Sequence, residues 1–124
     1  MQRARIYAVT ERDAENASDV ITGTTYISNK LARILIDPGA TFSFMSSAFA
    51  MHNNLKSCDR IDPVIVSMPM RTSVICESVI KDVSVRLGET DMKWNFIPLP
   101  INEFDVTIGM DGLSQYRAKL NCYE

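Results

Sequence analysis

From Val20 onward the chain is a succession of short runs rich in β-branched and aromatic residues, cut by proline, glycine, asparagine and aspartate. Runs of that length and composition form strands, and the interrupting residues form the turns between them. Val20–Ser28 is one such run, Asn29-Lys30 suits a tight turn, and Leu31–Ile36 returns, so the pair reads as a hairpin. Further strands are predicted at Val64–Met68, Ser73–Ile80, Val83–Leu87, Met92–Ile97 and Phe104–Ile108, with Pro69, Gly88, Pro98 and Pro100 as punctuation. A short helix is expected around Ser46–Asn53. Asp111 can cap a last helical turn over Leu113–Tyr116, before a final strand at Ala118–Cys122. Many short strands with one or two short helices predict an all-β domain, a small barrel or sandwich. Residues 1–19 are mixed and charged, with a helical turn at Glu11–Glu15, and read as a linker leading into a domain spanning 20–124.

The composition narrows the function classes. At 124 residues and 46% apolar, the chain suits one globular core. Thirteen Lys+Arg against fifteen Asp+Glu leave a net charge of −2, which argues against nucleic acid as the partner. No apolar run reaches the roughly 20 residues of a membrane-spanning helix, and the start lacks a signal-peptide core. An intracellular protein is expected, with no membrane partner. Cys58, Cys76 and Cys122 are odd in number and widely spaced, so neither a disulfide framework nor a metal site is expected. His52 is the single histidine, and no phosphate-cradling glycine loop or G-x-S-x-G elbow is present. No cofactor is expected.

The informative stretch is Ile34-Leu35-Ile36-Asp37-Pro38-Gly39-Ala40-Thr41-Phe42-Ser43-Phe44. Asp-Pro-Gly on its own is ordinary turn chemistry, with Pro fixing φ and Gly accepting a positive φ. Its setting is less ordinary. A carboxylate between an apolar strand and the run Ala40-Thr41-Phe42 is poorly solvated unless it has a purpose.

Three segments, which together cover nearly the whole chain in the family's order, resemble the retropepsin-like aspartic proteases, most closely those of plant gypsy-type retrotransposons. Leu35–Met45 resembles the catalytic-loop segment of that family, an apolar strand followed by D-[STP]-G-A. Phe104-Asp105-Val106-Thr107-Ile108-Gly109-Met110-Asp111 resembles its F-D-V-I-L-G-M-D segment, in which Thr107 and Gly109 would support the loop. Arg3–Thr10 with Asp19–Thr24 resembles the approach to this domain from a polyprotein. The resemblance implies the acid protease fold, a small closed barrel active as a symmetric homodimer. It implies Asp37 as the catalytic residue, with Pro38, Gly39, Ala40 and Thr41 completing its loop. It also implies a flap that closes over a polypeptide substrate, the hairpin Val64–Met68 and Ser73–Cys76 with its tip at Pro69-Met70-Arg71-Thr72, over a groove lined by Gly39, Ala40, Thr41 and Ile108. Read without the resemblance, that segment is simply another exposed hairpin.

Peptide hydrolysis without a metal or nucleophile needs one carboxylate to activate water and a second carboxyl group to supply a proton. The chain holds one Asp-x-Gly-Ala element, so the second group would be Asp37 of another copy. Asp105 and Asp111 are alternatives within the chain, but they read as a residue at the start of a strand and a helix cap. The sequence departs from the family at three points: Pro38 stands where a hydroxyl residue is usual, the flap tip lacks glycine, and Gly112 replaces a common Trp. The expected activity is an aspartic endopeptidase processing its own element's Gag-Pol polyprotein, in the cytoplasm or in virus-like particles. The alternative is a catalytically silent domain of the same fold, acting in dimerisation or peptide binding.

Overall fold

The computed structural model describes residues 2–6, 9–16, 19–69 and 72–121. In chain order its elements are β1 (Gln2–Arg5), α1 (Glu11–Asn16), β2 (Ile21–Ile27), β3 (Lys30–Ile36), β4 (Phe44–Ser46) and α2 (Ser47–His52). They continue with β5 (Cys58–Ser67), β6 (Ser73–Leu87), β7 (Thr90–Leu99), β8 (Val106–Ile108) and α3 (Met110–Asn121). The strands form one sheet in the order β1-β5-β6-β2-β3-β8-β4-β7, and β6 also pairs with β7. That last pairing closes β6, β2, β3, β8, β4 and β7 into a ring and leaves β5 and β1 as an extension beyond it. The fold is all-β with short helices, as the strand-rich sequence implies.

Local chemistry explains each connection. The β2–β3 hairpin turns on Ser28 and Asn29, both at positive φ, while Lys30 pairs with Ile27. The turn therefore sits one residue earlier than Asn29-Lys30, because a two-residue hairpin loop of this kind needs left-handed backbone at both positions. The two strands expected at Ser73–Ile80 and Val83–Leu87 are one strand. Asp82, at φ 57°, makes a bulge between them, and its N–H donates to Asn95 Oδ1 at 3.0 Å. Strand β5 begins earlier than expected, at Cys58, and its pairing with β6 slips between Asp59 and Val64, where Pro63 removes a backbone donor. Pro98 does not end β7 but lies inside it, opposite Met45 of β4.

The chain's end is also corrected. Ala118–Cys122 was expected as a strand, but α3 runs through to Asn121, and Cys122 lies outside the described residues. Leu113 and Tyr116, three apart on one helix face, pack on the main core, and Ala118, Lys119 and Leu120 are good helix formers that carry the helix on. At the other end, residues 2–6 do more than lead into the domain. Strand β1 pairs in parallel with β5, and Ala4 and Ile6 are buried. Alternating apolar residues too few to be read as a strand from sequence are fixed there by pairing with β5.

Alternation along β3 divides the interior. Ala32 and Ile34 face the main core with Phe96, Val106 and Ile108, whereas Leu35 faces the other way, onto Phe104, Ala14 and Val20. A second core, with Ala4, Ile6, Ala40, Phe44, Val64, Val66 and Ile97, lies between the Asp37 loop and the β5–β6 hairpin.

Candidate active site

Asp37 follows directly on β3, whose parallel neighbour β8 pairs Ile36 with Ile108. The ladder runs one step further, since Asp37 N–H donates to the Ile108 carbonyl at 2.9 Å. The chain then reverses. Ala40 N–H donates to the Asp37 carbonyl at 3.1 Å, and Gly39 N–H donates to Asp37 Oδ1 at 3.1 Å. Gly39 is not among the residues at positive φ, so the turn is closed by these two hydrogen bonds without the left-handed glycine expected of it. Asp37 is 1% exposed, a position that an ionisable residue holds only with polar partners.

Behind the loop stands the start of α3. Met110 N–H donates to the Ala40 carbonyl at 2.7 Å and Asp111 N–H to the Thr41 carbonyl at 3.1 Å, so two helix-end donors are satisfied by the loop itself. Ser43 completes the brace. Its Oγ donates to Asp111 Oδ1 at 2.6 Å and accepts from Gly109 N–H at 3.0 Å, and its N–H donates to Asp111 Oδ2 at 3.3 Å. Asp111 thus clamps the loop, a larger role than the helix cap expected of it. Ser43 was not singled out in the sequence. A serine within the run after Ala40 and an aspartate two residues beyond Gly109 were the only signal.

The other expected residues divide. Gly109 lies against the loop, and a Cβ there would sit 2.8 Å from the Ala40 carbonyl oxygen. Thr107 is fully buried between Leu35 and Phe44, with no hydrogen-bond partner for its hydroxyl among the described residues. Ile108 is corrected: its side chain packs in the main core, with Ile34 and Phe96, while its carbonyl accepts from Asp37 N–H. Neighbours in a strand face opposite sides, and Thr107 takes the other one. Pro38, Gly39 and Thr41 are exposed, and Ala40 is buried. Met68 shares the core of Ala40, and its N–H donates to the Thr72 carbonyl at 2.8 Å, which closes the hairpin tip. Pro69 is half-buried and Thr72 exposed, while Met70 and Arg71 lie outside the described residues. Asp105 anchors β8: Arg33 N–H donates to its Oδ2 and Ser46 N–H to its carbonyl, each at 2.8 Å. Among the described residues no three His, Cys, Asp or Glu side chains come together as a metal site.

The sequence profile of the family described as retroviral aspartyl protease matches residues 1–124. The chain belongs to that family. No curated protein matches it, but 49 solved chains do. One is the retroviral protease-like domain of Ddi1 from Leishmania major, at a TM-score of 0.57 and 18% identity, over 82% of this chain and 76% of that one. Another is the EIAV protease solved with the inhibitor HBY-793, at a TM-score of 0.57 and 17% identity, over 82% of this chain and 92% of that one. At such identities these likenesses establish the retroviral protease-like fold.

Proposed function

We propose that the chain is an aspartic endopeptidase working as a symmetric homodimer, with Asp37 of each copy forming the catalytic pair. The observation that carries this reading is the hydrogen-bonded turn that holds Asp37 at the end of β3, fixed from behind by Gly109, Ser43 and Asp111. Two carboxyl groups brought close together cannot both ionise, so they share a proton. The ionised one takes a proton from water as it attacks the scissile carbonyl. The protonated one donates to the carbonyl oxygen. The C–N bond then breaks as the first carboxyl passes the proton from water to the departing nitrogen, and a hydroxyl of the tetrahedral intermediate returns its proton to the second carboxylate. The Gly39 N–H on Asp37 Oδ1 fixes the direction in which the carboxylate faces. The β5–β6 hairpin serves as the flap.

The substrate we infer is the Gag-Pol polyprotein of a plant gypsy-type element, cut in the cytoplasm or in virus-like particles. The D-P-G-A and F-D-V-T-I-G-M-D segments support that origin. The test is cleavage of a peptide library by the purified protein. Turnover is expected from the native chain and is abolished by Asp37→Asn. Turnover that survives the substitution would overturn the reading. The silent-domain reading is favoured by one observation, the near-complete burial of Asp37 within a single chain.

A further inference from the structure

The extension of the sheet beyond the ring needs a reason. In β5 the chain offers a strand edge, and a strand edge invites another strand. Here the visitor is the chain's own beginning. Gln2 to Arg5 pair in parallel register with Val64 to Ser67, and Ile6 N–H donates to the Ser67 carbonyl at 3.0 Å. Along this segment Gln2, Arg3 and Arg5 are exposed, while Ala4 is 8% exposed and Ile6 0%. Both apolar side chains enter the core that contains Ala40 of the Asp37 loop and Met68 of the hairpin, and Val9 packs on the same core.

The following residues form α1 and dock it on the strand that leads into Asp37. Thr10 and Asp13 cap α1 reciprocally: Asp13 N–H donates to Thr10 Oγ1 at 3.1 Å, and Thr10 N–H donates to Asp13 Oδ2 at 3.2 Å. From this helix Ala14, with Val20 beyond it, packs on Leu35 and Phe104, and Leu35 is two residues from Asp37. Through Ala4 and Ile6, residues 2–6 therefore pack against both the hairpin and the Asp37 loop, where a peptide substrate of the proposed enzyme would lie.

We propose that residues 2–6 are a tethered pseudo-substrate. The β5 edge and the trough over Ala40 form a groove for extended peptides with a small side chain and a β-branched one two residues later, as in Ala4 and Ile6. The chain's own segment fills this groove and withholds Asp37 until it is displaced. The assignment of the groove to substrate rests on the endopeptidase reading, but the occupancy can be tested without turnover.

The experiment uses the full chain, its Ala4→Asp and Ile6→Asp variants, and a fluorescent peptide with the sequence of residues 1–10. A tether holds its segment at an effective concentration near millimolar, so the added peptide competes poorly with the native segment. Fluorescence anisotropy is expected to show at least about tenfold tighter binding to both variants than to the native chain, since a charge in the trough removes the competitor. The same peptide carrying Ile6→Asp should bind none of them. Equal binding to native and variant chains overturns the proposal. Loss of cooperative unfolding in both variants also overturns it, because the segment would then be part of the fold and not an occupant. If peptide binds the variants tightly but none is cleaved, the groove stands and hydrolysis falls. If cleavage occurs without any difference in binding, the reverse holds.

Discussion

Gly109 and Phe42 meet backbone to backbone. A Cβ on Gly109 would lie 2.7 Å from the Phe42 carbonyl carbon and overlap that carbonyl's oxygen outright. No side chain can turn aside to make room, because the obstacle is the loop that carries Asp37. Gly109→Ala should therefore destabilise the protein by about 3 kcal/mol or more, at the upper end of overpacking costs. Urea unfolding followed by circular dichroism checks this. A loss below about 1 kcal/mol would mean that the loop and β8 are not in such close contact.

Ser43 links the same two segments through its side chain. Ser43→Ala leaves the buried Gly109 N–H without its acceptor and takes a donor from Asp111. A loss of about 2 kcal/mol is expected, the scale of a buried donor left unpaired. Ser43→Thr keeps the hydroxyl and should recover part of it. If alanine and threonine unfold alike, the hydroxyl is not what matters at this position.

How much of this could be read in the sequence follows from where each signal lives. The β2–β3 hairpin, the helix after Ser46 and the Asp37 turn are set by neighbouring residues, and they stand within a residue or two of where chain chemistry puts them. The Ser43–Asp111 clamp depends on two residues far apart in the chain, each of which looks ordinary alone. Asp82 joins what reads as two strands because a bulge lets one non-glycine residue adopt positive φ without ending the pairing. The side of β8 that Ile108 takes was decided by pairing register, which apolar character does not reveal. Strand β1 was hidden for a related reason. It has little strand pattern of its own, and β5 supplies the edge that orders it.

The thiols should separate by environment. Cys58 is exposed and Cys76 buried. Burial pushes the Cys76 thiol above its ordinary value of 9.0, and the charge of Arg60 offsets only part of that. At pH 8 Cys58 should react with iodoacetamide at least about tenfold faster than Cys76, as read by mass spectrometry of the labelled peptides. The sign for stability follows. The folded state holds this proton more tightly than the unfolded state, so the contribution is complete below about pH 9 and is lost as pH rises through the folded value. Cys76→Ala should flatten the alkaline decline in Tm. Equal labelling of the two thiols would contradict the burial.

The proposed catalytic pair needs one carboxyl group ionised and the other protonated at the same moment. Peptide cleavage should therefore rise and then fall with pH, with an optimum on the acid side of neutrality. Both limbs should vanish in Asp37→Asn, and EDTA should change neither. A single sigmoid, or activity removed by the chelator and restored by a divalent metal, would point to different chemistry.

The last prediction comes from counting carboxyl groups. Each chain brings one Asp37, so a complete pair requires two copies meeting across a two-fold axis. Activity per chain should fall steeply on dilution as such dimers come apart. Mixing supplies the sharper measurement, because an isologous contact lets native and Asp37→Asn chains pair without preference. Co-refolding equal amounts should give about a quarter native dimers, about half mixed dimers and about a quarter mutant dimers. A mixed dimer holds one ionisable carboxyl group and cannot reach the shared-proton state, so it should be nearly inactive. Activity per native chain should then fall to about half, and further as the mutant is added in excess. A tag on one form verifies that the chains have exchanged. Undiminished activity in verified mixed dimers would mean that each chain carries a complete site, and Asp105 and Asp111 would become the first groups to test as the second carboxyl.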